Sequence, residues 1–122
     1  HIVSFELKYY ESYPDSQMNR IVEELVKAHE RGVDVRIILD QYSTENNAYR
    51  ILDEAGVCWK FDSEKTTTHA KLIIVDGKTV LLGSTNLSYY GLEQNNEANV
   101  MISDGKTARY FEDYFQGLWN AS

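Results

Sequence analysis

His69-Ala70-Lys71, followed by Leu72-Ile73-Ile74-Val75-Asp76 and then Gly83-Ser84-Thr85-Asn86, gathers an imidazole, an ammonium and several hydrogen-bonding side chains into one short stretch. If residues 69–75 form a strand, the side chains of His69 and Lys71 project from the same face, because side chains on a strand alternate with period two. An imidazole can attack an electrophile or move a proton near neutral pH, and an ammonium beside it can hold a phosphate oxygen. Asp76-Gly77 interrupts the apolar run and Thr79-Val80-Leu81-Leu82 resumes it. The spacing predicts a β-hairpin that returns Gly83-Ser84-Thr85-Asn86 to the side of His69. Singly these parts are weak signals: Asp-Gly is a common turn, and Ser-Thr-Asn before Leu87 can simply cap a helix.

The complete pattern, H-x-K-x4-D-x6-G-S-x-N, should arise by chance at roughly one start in tens of millions. It resembles the HKD motif of the phospholipase D superfamily. Glu97, within Asn95-Asn96-Glu97-Ala98-Asn99-Val100, is similar to the acidic residue that follows the motif in that family and holds an active-site His. A carboxylate bonded to one ring nitrogen fixes the tautomer and leaves the other nitrogen free. By itself Glu97 reads as an exposed carboxylate at the start of a strand over 97–102, where it shares a side with Asn99 and Met101.

The resemblance implies an α/β fold, a mixed sheet flanked by helices on both faces in an α-β-α sandwich. It also implies a metal-independent phosphodiesterase working through a phosphohistidine. In that scheme His69 attacks phosphorus, and Lys71 and Asn86, supported by Ser84, bind the phosphate oxygens. Asp76 and Gly83 support the hairpin. A second imidazole must protonate the leaving alcohol, and the chain holds one copy of the motif. Either two copies of the chain share one site as a homodimer, or the chain is half of a longer two-motif protein. A short chain with one motif resembles the small bacterial phospholipase-D-family endonucleases, which implies the homodimer. The substrate expected first is single-stranded DNA or RNA. A phospholipase D or phosphatidyl transferase is the alternative and needs an apolar lip, for which Tyr89-Tyr90-Gly91-Leu92 is the candidate, although core packing is the ordinary expectation for such a tyrosine pair. A catalytically silent interaction domain comes third, because the His, Lys, Asn and Glu set is intact. Two departures stand out: Leu87-Ser88 follows the motif where the small nucleases have an aromatic residue, and the upstream strand and helix of many relatives are missing, which suggests a trimmed or minimal domain.

Composition sets the outer bounds. At 122 residues and 43% apolar content, residues 1–122 are expected to form one domain with a buried core. No apolar run is long enough to span a bilayer, and Glu6, Lys8 and Glu11 do not suit a signal peptide, so a soluble chain is expected. The lone Cys58 excludes an internal disulfide and reads as a small residue packed on a strand, and three His cannot complete a Cys/His zinc set. Neither a metal nor a cofactor is expected. A net charge of −7 argues against a surface built to hold duplex nucleic acid, though not against a local positive site at Lys71. Lys60 and Lys65 read as solvated charges.

The elements that must position these residues alternate between strand and helix. Val3, Phe5, Leu7 and Tyr9 alternate as a first strand. Met18, Ile21, Val22, Leu25 and Val26 recur at helical spacing after a cap at Asp15 or Ser16, until Gly32 stops them. His29 falls at the end of that apolar stripe as a partly buried structural residue, and His1 is expected to be mobile. Val33–Leu39 forms a second strand, a helix follows from about Ser43 to Ala55, and residues 57–61 return as a strand. The two arms of the motif hairpin are apolar on both faces, as central strands covered by helices are. A last helix, capped by Ser103 or Asp104, packs through Ala108, Phe111, Phe115 and Leu118.

Overall fold

In the computed structural model, which describes residues 1–122, six strands form one mixed sheet between helical layers. In chain order the elements are β1 (Ile2–Ser4), α1 (Gln17–Glu30), β2 (Arg36–Leu39), α2 (Tyr49–Glu54), β3 (Cys58–Phe61), β4 (Leu72–Val75), β5 (Thr79–Gly83), a π-helical turn (Tyr90–Gln94), β6 (Asn99–Ser103) and α3 (Gly105–Ala121). The strand order is β3-β2-β1-β4-β5-β6. β1, β2 and β3 run parallel, and β4, β5 and β6 add antiparallel neighbours beside β1.

The alternation of each strand divides the core in two. Ile2, Ile37 and Leu39 pack with Met18 and Val22 of α1 and Leu52 of α2. Val3, Ile38, Leu72, Ile74 and Val80 pack with Ala108 and Phe115 of α3 on the opposite face. Of the paired cap candidates, Ser16 and Asp104 are the ones used: Ser16 Oγ accepts the Asn19 N–H at 3.1 Å, and Asp104 Oδ2 accepts the Thr107 N–H at 2.9 Å and its hydroxyl at 2.8 Å. Those bonds hold the Asp104 carboxyl below its ordinary value. Gly32, at φ +89°, terminates α1 in the left-handed region.

The largest departure from the sequence expectation lies after β1. The alternation through Tyr9 suggested a longer strand, but β1 ends at Ser4. Beyond it, asparagine side chains replace a neighbouring strand. Asn46 Oδ1 accepts from Leu7 N at 2.6 Å, and Asn47 bonds both backbone groups of Tyr9 at 2.7 and 2.8 Å. Fully buried Asn19 bonds Tyr10 N, Tyr10 O and Tyr13 O at 2.8, 2.8 and 3.1 Å. The same commitments delay α2, which begins at Tyr49 rather than near Ser43. Residues 42–47 are held in a loop by the Asp40 carboxylate and by these amides.

Other expectations are corrected by packing. Cys58 is exposed because β3 is an edge strand. Lys60 is not solvated: its ammonium donates to Trp119 O at 3.0 Å and lies 4.4 Å from the Trp119 ring centroid. His1 is not loose, since its ring stacks on Phe115 and bonds Glu112 at 2.7 Å. The hairpin is not covered on both faces. Leu81 pairs with exposed Met101 and is itself exposed, because no helix lies over that face of β5 and β6.

Truncating Asn19 to Ala removes three bonds and strands buried backbone groups of residues 10 and 13. The expected loss is about 2–4 kcal/mol of unfolding free energy in urea titration, with the native far-ultraviolet signature retained.

Candidate active site

The parallel strands β1 and β2 end on the same side of the sheet as the start of β4 and the end of β5, and the motif residues collect there. A sheet of this kind offers its crevice beyond the carboxyl ends of the parallel strands. The Asp76-Gly77 turn, with φ of 57° and 61°, closes the β4–β5 hairpin at the far end. Asp76 is therefore distant from the cluster and belongs to the turn.

His69 and Lys71 meet, though not through regular strand geometry. β4 begins only at Leu72, and residues 69–71 lack a ladder apart from the Gly83 N–H donating to Lys71 O at 3.4 Å. Lys71 Nζ instead curls back to His69, donating to Nδ1 at 3.0 Å and to the carbonyl oxygen at 2.8 Å. The same ammonium lies 3.5 Å from Nε2, so it faces the edge of the ring and not one nitrogen alone. Desolvation pulls the Lys71 pKa below its ordinary value, against the opposing pull of the Glu97 and Glu6 carboxylates. The Phe5 ring, 4.9 Å from that of His69, supports the other side of the imidazole.

Ser84 and Glu97 form a second pair: Ser84 Oγ donates to Glu97 Oε1 at 2.8 Å and accepts the Ala98 N–H at 3.0 Å. Glu97 touches Ser84 and Asn95 rather than His69 of its own chain. It also lies just before β6 and not within it. Gly83 has no room for a side chain, because a Cβ there would run into the backbone of Ala98 and Asn99. Asn86 carries a buried Oδ1 with no hydrogen-bond partner.

Two positioning residues escaped the sequence reading. Asp40, fully buried at the end of β2, accepts the Thr68 N–H at 2.6 Å on Oδ2 and those of Tyr42 and Ser43 at 2.7 and 3.1 Å on Oδ1. It thereby anchors the residue next to His69 from a strand 28 positions away. The available signal was a lone carboxylate directly after the apolar run Ile37-Ile38-Leu39. Gly91 packs so closely on the Asn86 backbone that a Cβ would collide with its carbonyl oxygen. This contact lies within the π-helical turn, which hydrophobic spacing did not reveal. Tyr89 and Tyr90 within the same segment are exposed rather than packed in the core. The other imidazoles lie elsewhere: His1 sits on Phe115, and His29 is half-buried against Gly56.

The family described as cardiolipin synthase, PLD-like domain, matches residues 3–119. Mitochondrial cardiolipin hydrolase of Chlamydomonas reinhardtii is 33% identical over 98 residues, covering 79% of this chain and 44% of that protein. Mitochondrial cardiolipin hydrolase of Mus musculus is 31% identical over 110 residues, covering 88% and 48%. The chain thus spans about half the length of these curated relatives. Among solved structures, the phospholipase D family member Nuc from Salmonella typhimurium superposes with a TM-score of 0.78 at 28% identity, covering 98% of this chain and 76% of that one. A mixed sheet between helices with the motif at the strand ends defines the class as a phospholipase-D-like domain. The chain belongs to the phospholipase D superfamily.

Gly91→Ala should displace Asn86 and lower turnover of a simple phosphodiester such as bis(p-nitrophenyl) phosphate by at least about tenfold. Gly105→Ala, where a Cβ meets nothing within 4 Å, serves as the control and should leave turnover unchanged.

Proposed function

We propose that this chain is a metal-independent phosphodiesterase that acts through a phosphohistidine, with single-stranded nucleic acid as its substrate. The observation that carries the reading is the Lys71 ammonium held 3.0 Å from the exposed His69 ring at the strand ends where the motif segments meet. In-line displacement at phosphorus takes a nucleophile, donors for the non-bridging oxygens and an acid for the leaving oxygen, and residues of the first two kinds stand within this chain. Charge stabilisation in this reading rests on Lys71 and Asn86.

In this scheme Lys71 leaves His69 for the incoming phosphate, and a ring nitrogen of His69 attacks phosphorus. Lys71, Asn86 and Ser84 stabilise the five-coordinate transition state. The departing alkoxide takes a proton from the partner subunit's His69, which then activates the water that cleaves the phosphohistidine. A homodimer is part of the proposal because neither His1 nor His29 is near His69. The exposed pair Leu81 and Met101, on neighbouring strands β5 and β6, supplies apolar surface for a second copy. Glu97, engaged with Ser84 and not with its own His69, is free to orient the partner subunit's imidazole.

Nucleic acid comes first because the likeness to Nuc extends over 98% of the chain. Phospholipid is the second reading, supported by the relatives named cardiolipin hydrolase and by the exposed Tyr89-Tyr90 pair. Labelled oligonucleotides and phospholipid vesicles containing cardiolipin, assayed in parallel with EDTA present, distinguish the two. Strand cleavage without lipid turnover is the expected result, and activity that returns only with added Mg²⁺, Mn²⁺ or Zn²⁺ would overturn the metal-free mechanism.

His69→Asn should abolish turnover without loss of fold, and an excess of that variant mixed with wild-type chain should depress activity beyond dilution. Each mixed dimer then lacks one of two required imidazoles. Full specific activity from a monomer would remove the shared-site mechanism.

Lys71→Ala should raise the barrier by about 2.7–4 kcal/mol, the cost of losing an oxyanion donor. Because desolvation lowers the Lys71 pKa, turnover should fall on the alkaline side before the ordinary lysine value of 10.5 is reached. The stability effect has the opposite sense. Between its folded value and 10.5 the unfolded chain binds the extra proton, so stability contributed at this position rises with pH. Lys71→Met should therefore unfold at a higher denaturant midpoint than wild type at neutral pH while being inactive.

A further inference from the structure

Next to the motif segment, where residues 10–16 pass the π-helical turn, lies an open cleft of about 670 Å³. Four tyrosines line it, Tyr10, Tyr13, Tyr89 and Tyr90, with the carboxylates of Asp15 and Glu93 on its wall. No Lys or Arg side chain is among its lining residues, and neither carboxylate takes part in an ion pair. Two of the rings are preset. The Tyr10 hydroxyl accepts the Tyr89 N–H at 2.8 Å, and Gln94 Nε2 donates to the Tyr89 hydroxyl at 2.9 Å. Tyr10 and Tyr89 meet edge to face at 6.5 Å, and Tyr89 and Tyr90 at 5.5 Å. The other two are open to solvent, Tyr13 at 70% and Tyr90 at 65% exposure.

Aromatic faces carry negative potential and attract cations, most strongly weakly hydrated ones such as alkylated ammonium groups. Outside the lining, the Lys8 ammonium stands 5.8 Å from the Tyr10 ring centroid and pairs with Glu45 at 3.9 Å. Unpaired carboxylates on the same wall add a field of the same sense. They work against an anionic occupant, so a phosphate-bearing strand stacking its bases here would meet repulsion that a cation does not. Asp15, placed just before the Ser16 cap, also occupies the end of α1 that would otherwise favour an anion.

We propose that the tyrosine cleft is a binding site for an alkylated ammonium group of the choline type, carried either by a small amine or by a phospholipid headgroup. The volume exceeds that of the ammonium group alone and leaves space for the rest of the molecule. The cleft is separate from the phosphodiesterase site. None of its lining residues is a motif residue, and Tyr89 follows Asn86 by three positions. The proposal stands whether or not His69 attacks phosphorus.

The test is titration of the whole chain with tetramethylammonium chloride, followed by the tyrosine ring resonances in NMR spectra, with sodium chloride as the ionic control. A parallel titration uses 3,3-dimethyl-1-butanol, the uncharged isostere of choline. Saturable shifts with the ammonium ion at millimolar concentration are expected, with binding of the isostere several-fold weaker. Tyr13→Ala and Tyr90→Ala should each weaken ammonium binding about two- to fivefold, and Glu93→Gln should weaken it in the same direction. Because Tyr13 is solvent-exposed and lies outside the π-helical turn that packs on Asn86, Tyr13→Ala should leave the thermal midpoint and phosphodiester turnover at wild-type levels. Capture of the chain by phosphatidylcholine vesicles but not phosphatidylglycerol vesicles, lost in the tyrosine variants, would assign the group to a lipid headgroup. Ammonium binding without vesicle capture would assign it to a small amine. Absence of saturable shifts, equal binding of the uncharged isostere, unchanged affinity in both tyrosine variants, or shifts produced by a short oligonucleotide and not by tetramethylammonium would each overturn the proposal.

Discussion

A carboxylate with no access to water must be surrounded by donors, and at the end of β2 this requirement organises the active end of the molecule. Asp40 gathers the N–H groups of Tyr42, Ser43 and Thr68 from two loops far apart in sequence. Its own carbonyl oxygen accepts from Asn46, whose amide oxygen in turn receives the Leu7 N–H. A single buried charge thus ties together the chain leaving β1, the loop leaving β2 and the approach to His69. Breaking such an arrangement at one member strands the others, so the geometry around His69 is set by polar satisfaction more than by the strand that follows it.

The stretch from Phe5 to Tyr13 shows how the same economy shapes the surroundings of the site. Ladder bonds would have continued β1 in line with the sheet. Side-chain amides of Asn19, Asn46 and Asn47 satisfy the backbone equally well while letting it turn away. The segment then passes Leu87, bridging it at Leu7, and continues to Tyr89. One irregular strand therefore touches the imidazole at Phe5, the motif Asn segment at Leu7 and the tyrosine cleft at Tyr10. Close approach at Gly91 locks the far side of Asn86 against the π-helical turn. Motif residues and cleft are walls of one braced loop system.

Exposure on the sheet is distributed unevenly. α1 and α2 cover β1, β2 and β3 on one face, α3 covers the opposite face, and the half of the first face over β5 and β6 is bare. Met101 at 69% exposure beside Leu81 is the clearest consequence. An apolar pair left open on a sheet face is the kind of surface that a partner covers.

Local pattern alone determined the motif hairpin, the apolar faces of α1 and α3 and the alternating order of elements, and it narrowed each helix cap to two neighbouring residues. These rest on interactions between residues close in sequence, namely periodicity, capping and the left-handed turn at Asp76-Gly77. The superfamily resemblance was equally legible, because the motif compresses its functional groups into residues 69–97. Tertiary structure alone decided the rest. A period-two pattern cannot say whether a strand has a neighbour, so β1 stopping at Ser4 and β4 starting at Leu72 were invisible. Glu97 proved to hold Ser84, and Lys71 to curl onto His69, because those choices depend on which groups the folded chain brings within 3 Å. Cys58, Lys60 and the Tyr89-Tyr90 pair differ from expectation for one reason: burial is set by what packs across from a residue, and that neighbour is chosen by the fold.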